Sequence, residues 1–477
     1  MKKLLLGSTA LIALTAAANA ADLSPRTYTK APLTAQANWT GFYLFGGAGY
    51  GMWAADQQVD PNLLPMDPLR TGGRGWFGTV GGGYDWQFSS NWVGGIFADA
   101  QFGSLKGTYD ASLLVGATAS PKNTANYAVG ARLGYLIAPN ALSYVNAGYS
   151  HAEFSGSTLS SPIAPLSFPT AKLNLDGWFV GGGVENSLNL FGISTPGLFM
   201  KTEYRLAEYG SKNIVVTDGF LAGPLGTFKP YVQTISTSLV YRFNATGAPP
   251  RGASEPVYTK TPAAAHNWTG FYLSGGGGYG LVASDQSFAD TFNARMGGRG
   301  WFGTVGGGYD WQFAPSWVGG VFADAQFGDI KMSSDLATSG RTAWPKNDLS
   351  YAIGVRAGYL VAPNVLSYVN GGYSHAEFTK ADFSPAGTSF TLPKTKYDGW
   401  FLGGGVENSL NIFGISSPGW FMKTEYRLAE YGRKSVSVIE NGGLAPLPYS
   451  FKPYIQTVST SLVYRFNWTG APLVAKY

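Results

Sequence analysis

An internal repeat is the feature that most constrains the fold of this chain. The seventeen residues GGRGWFGTVGGGYDWQF occupy positions 72–88 and return without a change at 297–313. Four further segments, NWTGFYL, YSHAEF, KTEYRLAEYG and STSLVYRFN, also occur twice. The repeat period exceeds 200 residues, far above the roughly 20–50 residues of a solenoid repeat, so the chain contains two copies of one domain.

The N-terminal segment is typical of a secretory signal peptide. Lys2 and Lys3 precede an apolar run of about fifteen residues, shorter than the roughly twenty that a membrane-spanning helix needs. Ala18, Asn19 and Ala20 form the small-residue site at which a signal peptidase cuts. We therefore predict cleavage after Ala20 and export through the general secretory route.

Alternating apolar and polar residues predict β-strands throughout both copies. The first copy has eight such segments, at 39–54, 75–88, 92–103, 126–137, 141–154, 177–188, 198–209 and 233–243. Each is at least as long as the roughly nine to eleven residues of a tilted membrane strand. Short turns alternate with long loops, as in a membrane barrel with periplasmic turns and external loops.

These patterns predict an all-β fold: two tandem eight-stranded, transmembrane, antiparallel up-and-down barrels. The alternative is that all sixteen strands close into one barrel, which is a porin strand number. The predicted divisions are a signal peptide at 1–20, a periplasmic N-terminal segment at 21–37, a first barrel at 38–244, a linker at 245–266, a second barrel at 267–467 and a C-terminal tail at 468–477.

Strand parity divides the repeated segment into two faces, since successive side chains of a strand point to opposite sides. One face carries Trp76, Val80 and Trp86, which suit lipid with aromatic residues near the membrane surfaces. The other face carries Thr79 and Asp85, which suit a polar interior. The glycines between them leave room for long interior side chains, because an eight-stranded interior is only wide enough to be filled by side chains.

The same parity rule collects an interior set of charged residues with four acidic and four basic members in each copy. A balanced buried set predicts a salt-bridged network that plugs the barrel, because buried charges are tolerated when they are paired. The alternative is that the set lines an ion path. Its members are Asp85, Asp99, Arg132, Glu185, Lys201, Glu203, Arg205, Arg242, Asp310, Asp324, Arg356, Glu407, Lys423, Glu425, Arg427 and Arg465.

The remaining composition favours neither an enzyme nor a nucleic-acid-binding protein. The chain has no cysteine, which excludes thiol catalysis and thiolate metal sites, and its 33 Lys and Arg against 28 Asp and Glu form no basic block. Ser150 and His151 are adjacent in a strand and point to opposite faces, so they do not form a catalytic dyad. We predict no catalytic, cofactor-binding or metal-binding residues; haemin binding at the rim by His151 and His375 is a minor alternative.

The leader, the YTKAP segment at 28–32, the NWTGFY opening of the first strand and the SLVYRFN ending together resemble the small outer-membrane β-barrel proteins of alphaproteobacteria. That family includes immunogenic and haemin-binding surface antigens. The resemblance implies an outer-membrane location and a sealed or nearly sealed eight-stranded barrel, here in tandem. It also implies that the barrel-assembly machinery reads a last strand with a terminal aromatic residue, the place that Phe243 and Phe466 occupy.

We therefore expect a structural and surface-interaction role, in which variable external loops are displayed on two conserved barrels. The alternative function is a porin-like, sixteen-stranded channel for small polar solutes; the minor alternative is binding of haemin or another ligand at the cell surface. The expected partners are outer-membrane lipids and lipopolysaccharide, whose phosphates Arg70, Arg74 and Arg299 are placed to meet. The sequence does not identify an external ligand.

Overall fold

The computed structural model describes residues 37–190, 193–243, 267–336, 341–383, 390–410, 417–440 and 447–466, all within one compact unit. The predicted cleavage site at Ala20, the linker at 245–266 and the tail at 468–477 lie outside the described residues. The predicted domain boundaries therefore stay a prediction. No helix in the described part of the chain is long and apolar enough to cross a membrane.

The first copy folds into a closed ring of strands. In the ring each strand is antiparallel to the next, in the order β1, β2, β3, β6, β7, β10, β11 and β13, and β13 pairs back with β1. The described residues of this copy form thirteen strands, which are β1 (Gly41–Val59), β2 (Leu69–Gln87), β3 (Trp92–Gly107), β4 (Tyr109–Ala111), β5 (Ala117–Ala119), β6 (Lys122–Ala138), β7 (Ala141–Phe154), β8 (Thr158–Ser160), β9 (Ser167–Pro169), β10 (Leu173–Leu190), β11 (Ile193–Tyr209), β12 (Lys212–Val216) and β13 (Gly223–Arg242).

The second copy closes in the same way, through β14, β15, β16, β19, β20, β23, β24 and β26, with β26 paired to β14. The prediction of two tandem eight-stranded barrels is thus confirmed. The alternative prediction of one sixteen-stranded barrel is wrong, because the last strand of each copy pairs with the first strand of the same copy. The strands of this copy are β14 (Gly270–Phe288), β15 (Phe292–Ala314), β16 (Trp317–Met332), β17 (Ser334–Leu336), β18 (Arg341–Ala343), β19 (Lys346–Ala362), β20 (Val365–Phe378), β21 (Ala381–Phe383), β22 (Phe390–Leu392), β23 (Thr395–Ser409), β24 (Trp420–Tyr431), β25 (Lys434–Glu440) and β26 (Leu447–Arg465).

The two ends of each barrel differ. One end, which we call the turn end, has short connections such as 139–140 between β6 and β7. The other, which we call the loop end, carries additional short strands. In the first copy β4, β5, β8 and β9 form a separate four-stranded sheet, the first cap. In the second copy β17 pairs with β18, and β22 pairs with β21 and β25, which together form the second cap. The caps therefore differ although the barrels match.

Several strands are longer at the loop end than the sequence pattern predicts. The first two were expected to end at residue 54 and to begin at residue 75, but β1 continues to Val59 and β2 begins at Leu69. Much of the predicted loop at 55–74 is therefore paired, with Asp56 opposite Arg70 in the ladder. The alternation that marks lipid-facing strands stops earlier because these extensions do not face lipid, as shown below.

The predicted faces of the repeated segment agree with the burial of its side chains. Trp76 is 69% exposed, as expected of a lipid-facing residue, whereas Phe77 is 5% exposed and faces inward. At the loop end the interior is apolar: Trp53, Phe154 and Phe228 are fully buried, with ring centroids 5.3–5.7 Å apart. Each barrel is therefore filled by an apolar cluster near its cap and by polar side chains further in.

Interior glycines give the charged side chains their space. Gly95 on β3 lies directly opposite Asp85 on β2, and a Cβ at Gly95 would overlap the Asp85 carboxylate. A Cβ at Gly81 would lie 2.7 Å from the Asp99 Cβ and 2.6 Å from the Phe45 ring. These close approaches explain why the repeated segment combines glycine with large side chains.

We predict that Gly95→Ala lowers the free energy of unfolding of the first barrel by about 1–3 kcal/mol, the usual cost of overpacking a filled interior. The matched control is Gly78→Ala on β2, because a Cβ there meets no atom closer than the Gly47 carbonyl oxygen at 3.8 Å. Urea titration of the refolded protein, followed by the mobility of unheated samples on a gel, measures both. Equal effects of the two substitutions would contradict the close fit at Gly95.

Candidate functional site: the buried charge networks

Four charged side chains of the first barrel meet in a layer that we call the turn-side network. Asp85, Arg132, Glu185 and Arg242 project inward from β2, β6, β10 and β13, which are alternate strands of the ring. Alternate strands place side chains at similar heights, so the four converge in the interior. Both carboxylates have fully buried side chains, and both guanidinium side chains are at most 3% exposed.

The turn-side network is a closed ring of alternating charges. Arg132 donates to both Asp85 oxygens and, through Nη1 at 3.1 Å, to Glu185. Arg242 donates to Glu185 at 2.6 Å and to Asp85 at 2.8 Å. Each carboxylate therefore binds both arginines. Tyr43 and Trp39 add aromatic faces, with guanidinium carbons of Arg132 and Arg242 4.4 Å from the respective ring centroids.

A second layer, the loop-side network, lies nearer the cap and uses Asp99, Lys201, Glu203 and Arg205. Arg205 binds Asp99 through two hydrogen bonds of 3.0 and 2.7 Å and Glu203 through one of 2.7 Å. Lys201 Nζ lies 3.6 Å from the Glu203 carboxylate and 3.3 Å from the Phe45 ring centroid. Each layer carries two charges of each sign, so it is neutral in itself.

The second barrel repeats both layers with nearly the same distances. Arg356 donates to Glu407 at 3.0 Å, and Arg465 donates to Glu407 and Asp310 at 2.7 Å each. In its loop-side network, Arg427 donates two bonds to Asp324 and one to Glu425, and Lys423 Nζ lies 3.9 Å from Glu425. The structure thus brings all sixteen predicted interior residues into ion pairs.

The networks also include neutral polar residues, which the sequence analysis did not predict although their strand parity places them inside the barrel. Tyr144 donates to Glu203 at 2.8 Å, and Asn146 donates to the same carboxylate oxygen at 3.0 Å. Tyr368 and Asn370 do the same for Glu425 in the second barrel. The available signal was that Tyr144 and Asn146 share the inward parity of β7, a strand that contributes no charged member to either network.

This arrangement fills the interior and leaves little room for water. The Asp85 and Glu185 side chains have no exposed surface, so no water-sized sphere touches them. A cavity beside Asp324 and Arg427 measures about 10 Å³, roughly the space of a single water molecule. Removal of one partner from a buried ion pair costs about 3–5 kcal/mol, so the networks also hold the ring in its register.

The predicted histidines lie apart from these networks, on outward faces. His151 Nδ1 lies 2.7 Å from the Asp176 carboxylate, and His375 Nδ1 lies 2.7 Å from that of Asp398. Ser150 Oγ lies 2.8 Å from the Tyr209 hydroxyl, inside the barrel. Serine and histidine therefore lie on opposite sides of the strand, as their parity predicts, and the two histidines belong to different barrels.

The strand-closing aromatic residues lie at the turn end of the two rings. Phe243 and Phe466 are exposed, and their backbone N–H groups donate to the carbonyls of Phe42 and Phe271 at 3.2 and 3.1 Å. Each therefore follows a complete last strand that is paired with the first strand of its own barrel.

The arginines expected to meet lipopolysaccharide phosphates bind carboxylates of the protein. Arg74 donates two hydrogen bonds to Asp285, and Arg299 donates two to Asp56. Arg70 also binds Asp56, at 2.7 Å. Asp56 and Asp285 are shared by four arginines, Arg295 being the fourth, so the group keeps a net charge of +2. The side chains of Arg70, Arg74 and Arg299 are only 13–15% exposed, and their contact with lipopolysaccharide phosphates stays a prediction.

Curated proteins that resemble the chain include outer-membrane proteins. It is 28% identical over 256 residues to the 31 kDa outer-membrane immunogenic proteins of Brucella melitensis and Brucella suis, with 51% of this chain and 100% of each of those proteins covered. Among solved structures, a FadL homologue of Pseudomonas aeruginosa aligns over 89% of this chain and 90% of its own, at 11% identity and a TM-score of 0.29. Ail of Yersinia pestis aligns over 41% and 99%, at 15% identity and a TM-score of 0.22.

A protein-family model described as the outer membrane protein beta-barrel domain matches the chain twice, at residues 7–243 and 258–466. These two matches cover both closed rings of strands. Together with the relatives they confirm the outer-membrane location expected from the sequence. The chain belongs to the outer-membrane β-barrel domain family and carries that domain twice.

Proposed function

We propose that this protein is a sealed structural element of the outer membrane that displays two different caps, rather than a channel for solutes. The observation that carries the proposal is the complete burial of the turn-side network in both barrels. Asp85 and Glu185 in the first barrel, and Asp310 and Glu407 in the second, have side chains with no exposed surface. A water-filled path through either ring would expose them.

The caps support the display role. Phe220 is 76% exposed at the loop end of the first barrel. Its ring packs edge-on against that of Phe168, with the two ring centroids 4.9 Å apart. Ile163 and Leu63 are further exposed apolar residues at that end, and Ile439 is exposed in the second unit. Exposed apolar side chains on loops that differ between the copies are typical of binding surfaces. The structure does not identify a ligand for these caps, and haemin binding stays a prediction.

Lysines at the loop end of the second barrel support contact with lipopolysaccharide phosphates. Lys394 and Lys396 flank Glu377 at 2.6 and 2.8 Å, and Lys434 lies 3.3 Å from Asp398; all three side chains are 45–59% exposed. Lys396 lies on β23, four residues before the outward-facing Trp400, and Lys394 immediately precedes that strand. Lys434 Nζ donates to the Lys396 carbonyl oxygen at 2.5 Å. A cationic group beside lipid-facing aromatic residues suits an anionic headgroup.

A planar bilayer measurement tests the sealed interior. We expect the folded wild-type protein to give no current steps, because the fully buried carboxylates of the turn-side network block the described interior of each ring. The control is the double variant Arg132→Ala with Glu185→Ala, which removes one charge of each sign from the turn-side network and is expected to raise the conductance above background. Discrete conductance steps from the wild-type protein would overturn the proposal in favour of transport.

The triple variant Lys394→Gln, Lys396→Gln and Lys434→Gln tests the lipid contact. Each lysine near an anionic membrane surface contributes about 1 kcal/mol, so we expect binding of purified lipopolysaccharide to the detergent-solubilised protein to weaken on the order of tenfold or more. Lys346→Gln is the control, since Lys346 is a comparably exposed lysine paired with Asp329 at 3.0 Å. Unchanged binding by the triple variant would exclude these lysines as the site.

A further inference from the structure

The first two strands of each barrel extend beyond the aromatic residues that mark the membrane surface. Tyr50 and Trp76 form an outward-facing aromatic pair, with ring centroids 5.1 Å apart, which is typical of an interfacial girdle. Two and four residues past Tyr50, Met52 and Ala54 keep the outward parity, yet neither has any exposed surface. Something other than lipid covers them.

The other barrel is what covers this outward surface. Leu281 and Ala283, the equivalent residues of β14, are also fully buried, and they pack with Met52 and Ala54 in one apolar cluster. Tyr454 of the second barrel belongs to the same cluster. The two barrels therefore bury outward-facing apolar side chains against each other at the loop end.

Two ion pairs flank this cluster and cross from one barrel to the other. Arg74 of the first barrel binds Asp285 of the second through bonds of 3.1 and 2.9 Å, while its guanidinium lies 3.4 Å from the Tyr454 ring centroid. Arg299 of the second barrel binds Asp56 of the first through bonds of 3.1 and 2.8 Å. Its guanidinium lies 3.5 Å from the ring centroid of Tyr231, the residue equivalent to Tyr454.

Glycine lets the backbones of the two barrels touch. Thr71 on β2 pairs with Met296 on β15. A Cβ at Gly72 would lie 2.9 Å from the Met296 carbonyl oxygen and 3.0 Å from the Gly297 Cα, so a larger side chain would hold the barrels apart. The backbone N–H of Arg70 donates to Ser333 Oγ at 2.9 Å.

Each of these contacts has a counterpart with the copies exchanged. The backbone N–H of Arg295 donates to Thr108 at 2.9 Å, as that of Arg70 does to Ser333. Gly72 and Gly297 are the first residues of the repeated seventeen-residue segment, and Arg74 and Arg299 are its third residues. An interface in which both partners contribute the same patch is isologous, as in a two-fold dimer.

We infer that the patch formed by Met52, Ala54, Asp56, Arg70, Gly72 and Arg74, with its equivalent in the second copy, is a self-docking surface whose partner is a second copy of the same barrel unit. In this chain the two barrels occupy each other's docking surface and form a fixed pair. Bidentate ion pairs would be costly on a lipid-facing wall, so their place beyond the aromatic girdle fits contact with protein.

The test uses the full chain with a protease site introduced in the linker near residue 254. After cleavage in mild detergent, we expect the wild-type halves to migrate and elute together as one species. The double variant Gly72→Val with Gly297→Val is expected to release two half-size species, because both side chains intrude on the opposite backbone. The matched control, Gly78→Val with Gly303→Val, changes outward-facing glycines of the same two strands that are open, and should stay associated.

Heat-modifiable migration of each released half shows that its barrel remains folded, so loss of association is not loss of fold. A second variant, Arg74→Met with Arg299→Met, removes both ion pairs and is expected to weaken association without blocking backbone contact. Wild-type halves that separate on cleavage while remaining folded would overturn the inference, as would association that survives the two valines. Neither result bears on conductance, so the sealed-barrel proposal is tested separately.

We also infer that a pair of buried carboxyl groups makes this docking sensitive to pH. Asp110 in the first cap and Asp335 in the second are equivalent residues, both buried, and they share Ser112, whose N–H donates to Asp110 at 2.7 Å and whose hydroxyl donates to Asp335 at 2.6 Å. One oxygen of each carboxyl has no hydrogen-bond partner among the described residues. Both line one cavity of about 20 Å³.

Burial raises the pKa of Asp110 to about 6, and burial together with Asp110 raises the pKa of Asp335 well above its ordinary range. Asp67 adds to the increase for Asp335, and Arg341 lies 3.8 Å from Asp67. Among the described residues that line the cavity, Tyr449 is the third titratable one.

Separation of the barrels would expose both carboxyl groups to water and return their pKa toward about 4, the ordinary range of an exposed Asp, so docking would take up protons. The stabilisation that Asp110 contributes to docking is then fully present below about pH 4 and is lost as the pH rises through about 6. We therefore expect the cleaved halves to dissociate more readily at pH 8 than at pH 5, as measured by size-exclusion chromatography. The variant Asp110→Asn with Asp335→Asn should show no such difference. A pH dependence that persists in it would assign the effect to other groups.

Discussion

The narrowness of an eight-stranded ring is the constraint on which the rest of this structure depends. Such a ring has no room for a lumen unless its side chains are small, and here they are long and charged. The solution is a set of neutral layers, in which Arg132 and Arg242 each bind the same two carboxylates. Glycines such as Gly95 provide the volume these groups need. The narrow ring thus accounts both for the close packing of the interior and for the complete burial of the charges in the turn-side network.

A buried ion pair is weak evidence for stability, because desolvation offsets much of the attraction. Its stronger effect here is on specificity. A slip of one residue in the register of a strand would turn the interior charges of that strand outward, toward lipid. The same residues that fill the ring therefore penalise pairings that are out of register. They do not distinguish a strand from its counterpart in the other copy, because both copies carry the same charges at equivalent positions.

The sequence predicted the parts of the structure that depend on local pattern. Alternation placed Asp85 inside and Trp76 outside, and repetition of the closing strand predicted two rings. It did not predict that β1 continues to Val59, because the residues that cover Met52 and Ala54 belong to the other barrel. Arg74 was recognised as a cation near a loop, but its partner Asp285 lies 211 residues away. A partner so distant leaves no local signature in the chain.

The mutual burial of the two patches has a consequence for valency. An isologous contact that is satisfied within one chain leaves no free copy of itself, so assembly through it stops at two barrels. The caps, however, are different in the two halves and are held at a fixed separation. A partner that touches one cap meets the other as an intramolecular neighbour, at an effective concentration set by the geometry of the pair rather than by a flexible tether. The tandem arrangement thus places two different caps on a symmetric pair of barrels, so that one molecule presents two distinct surfaces to a partner.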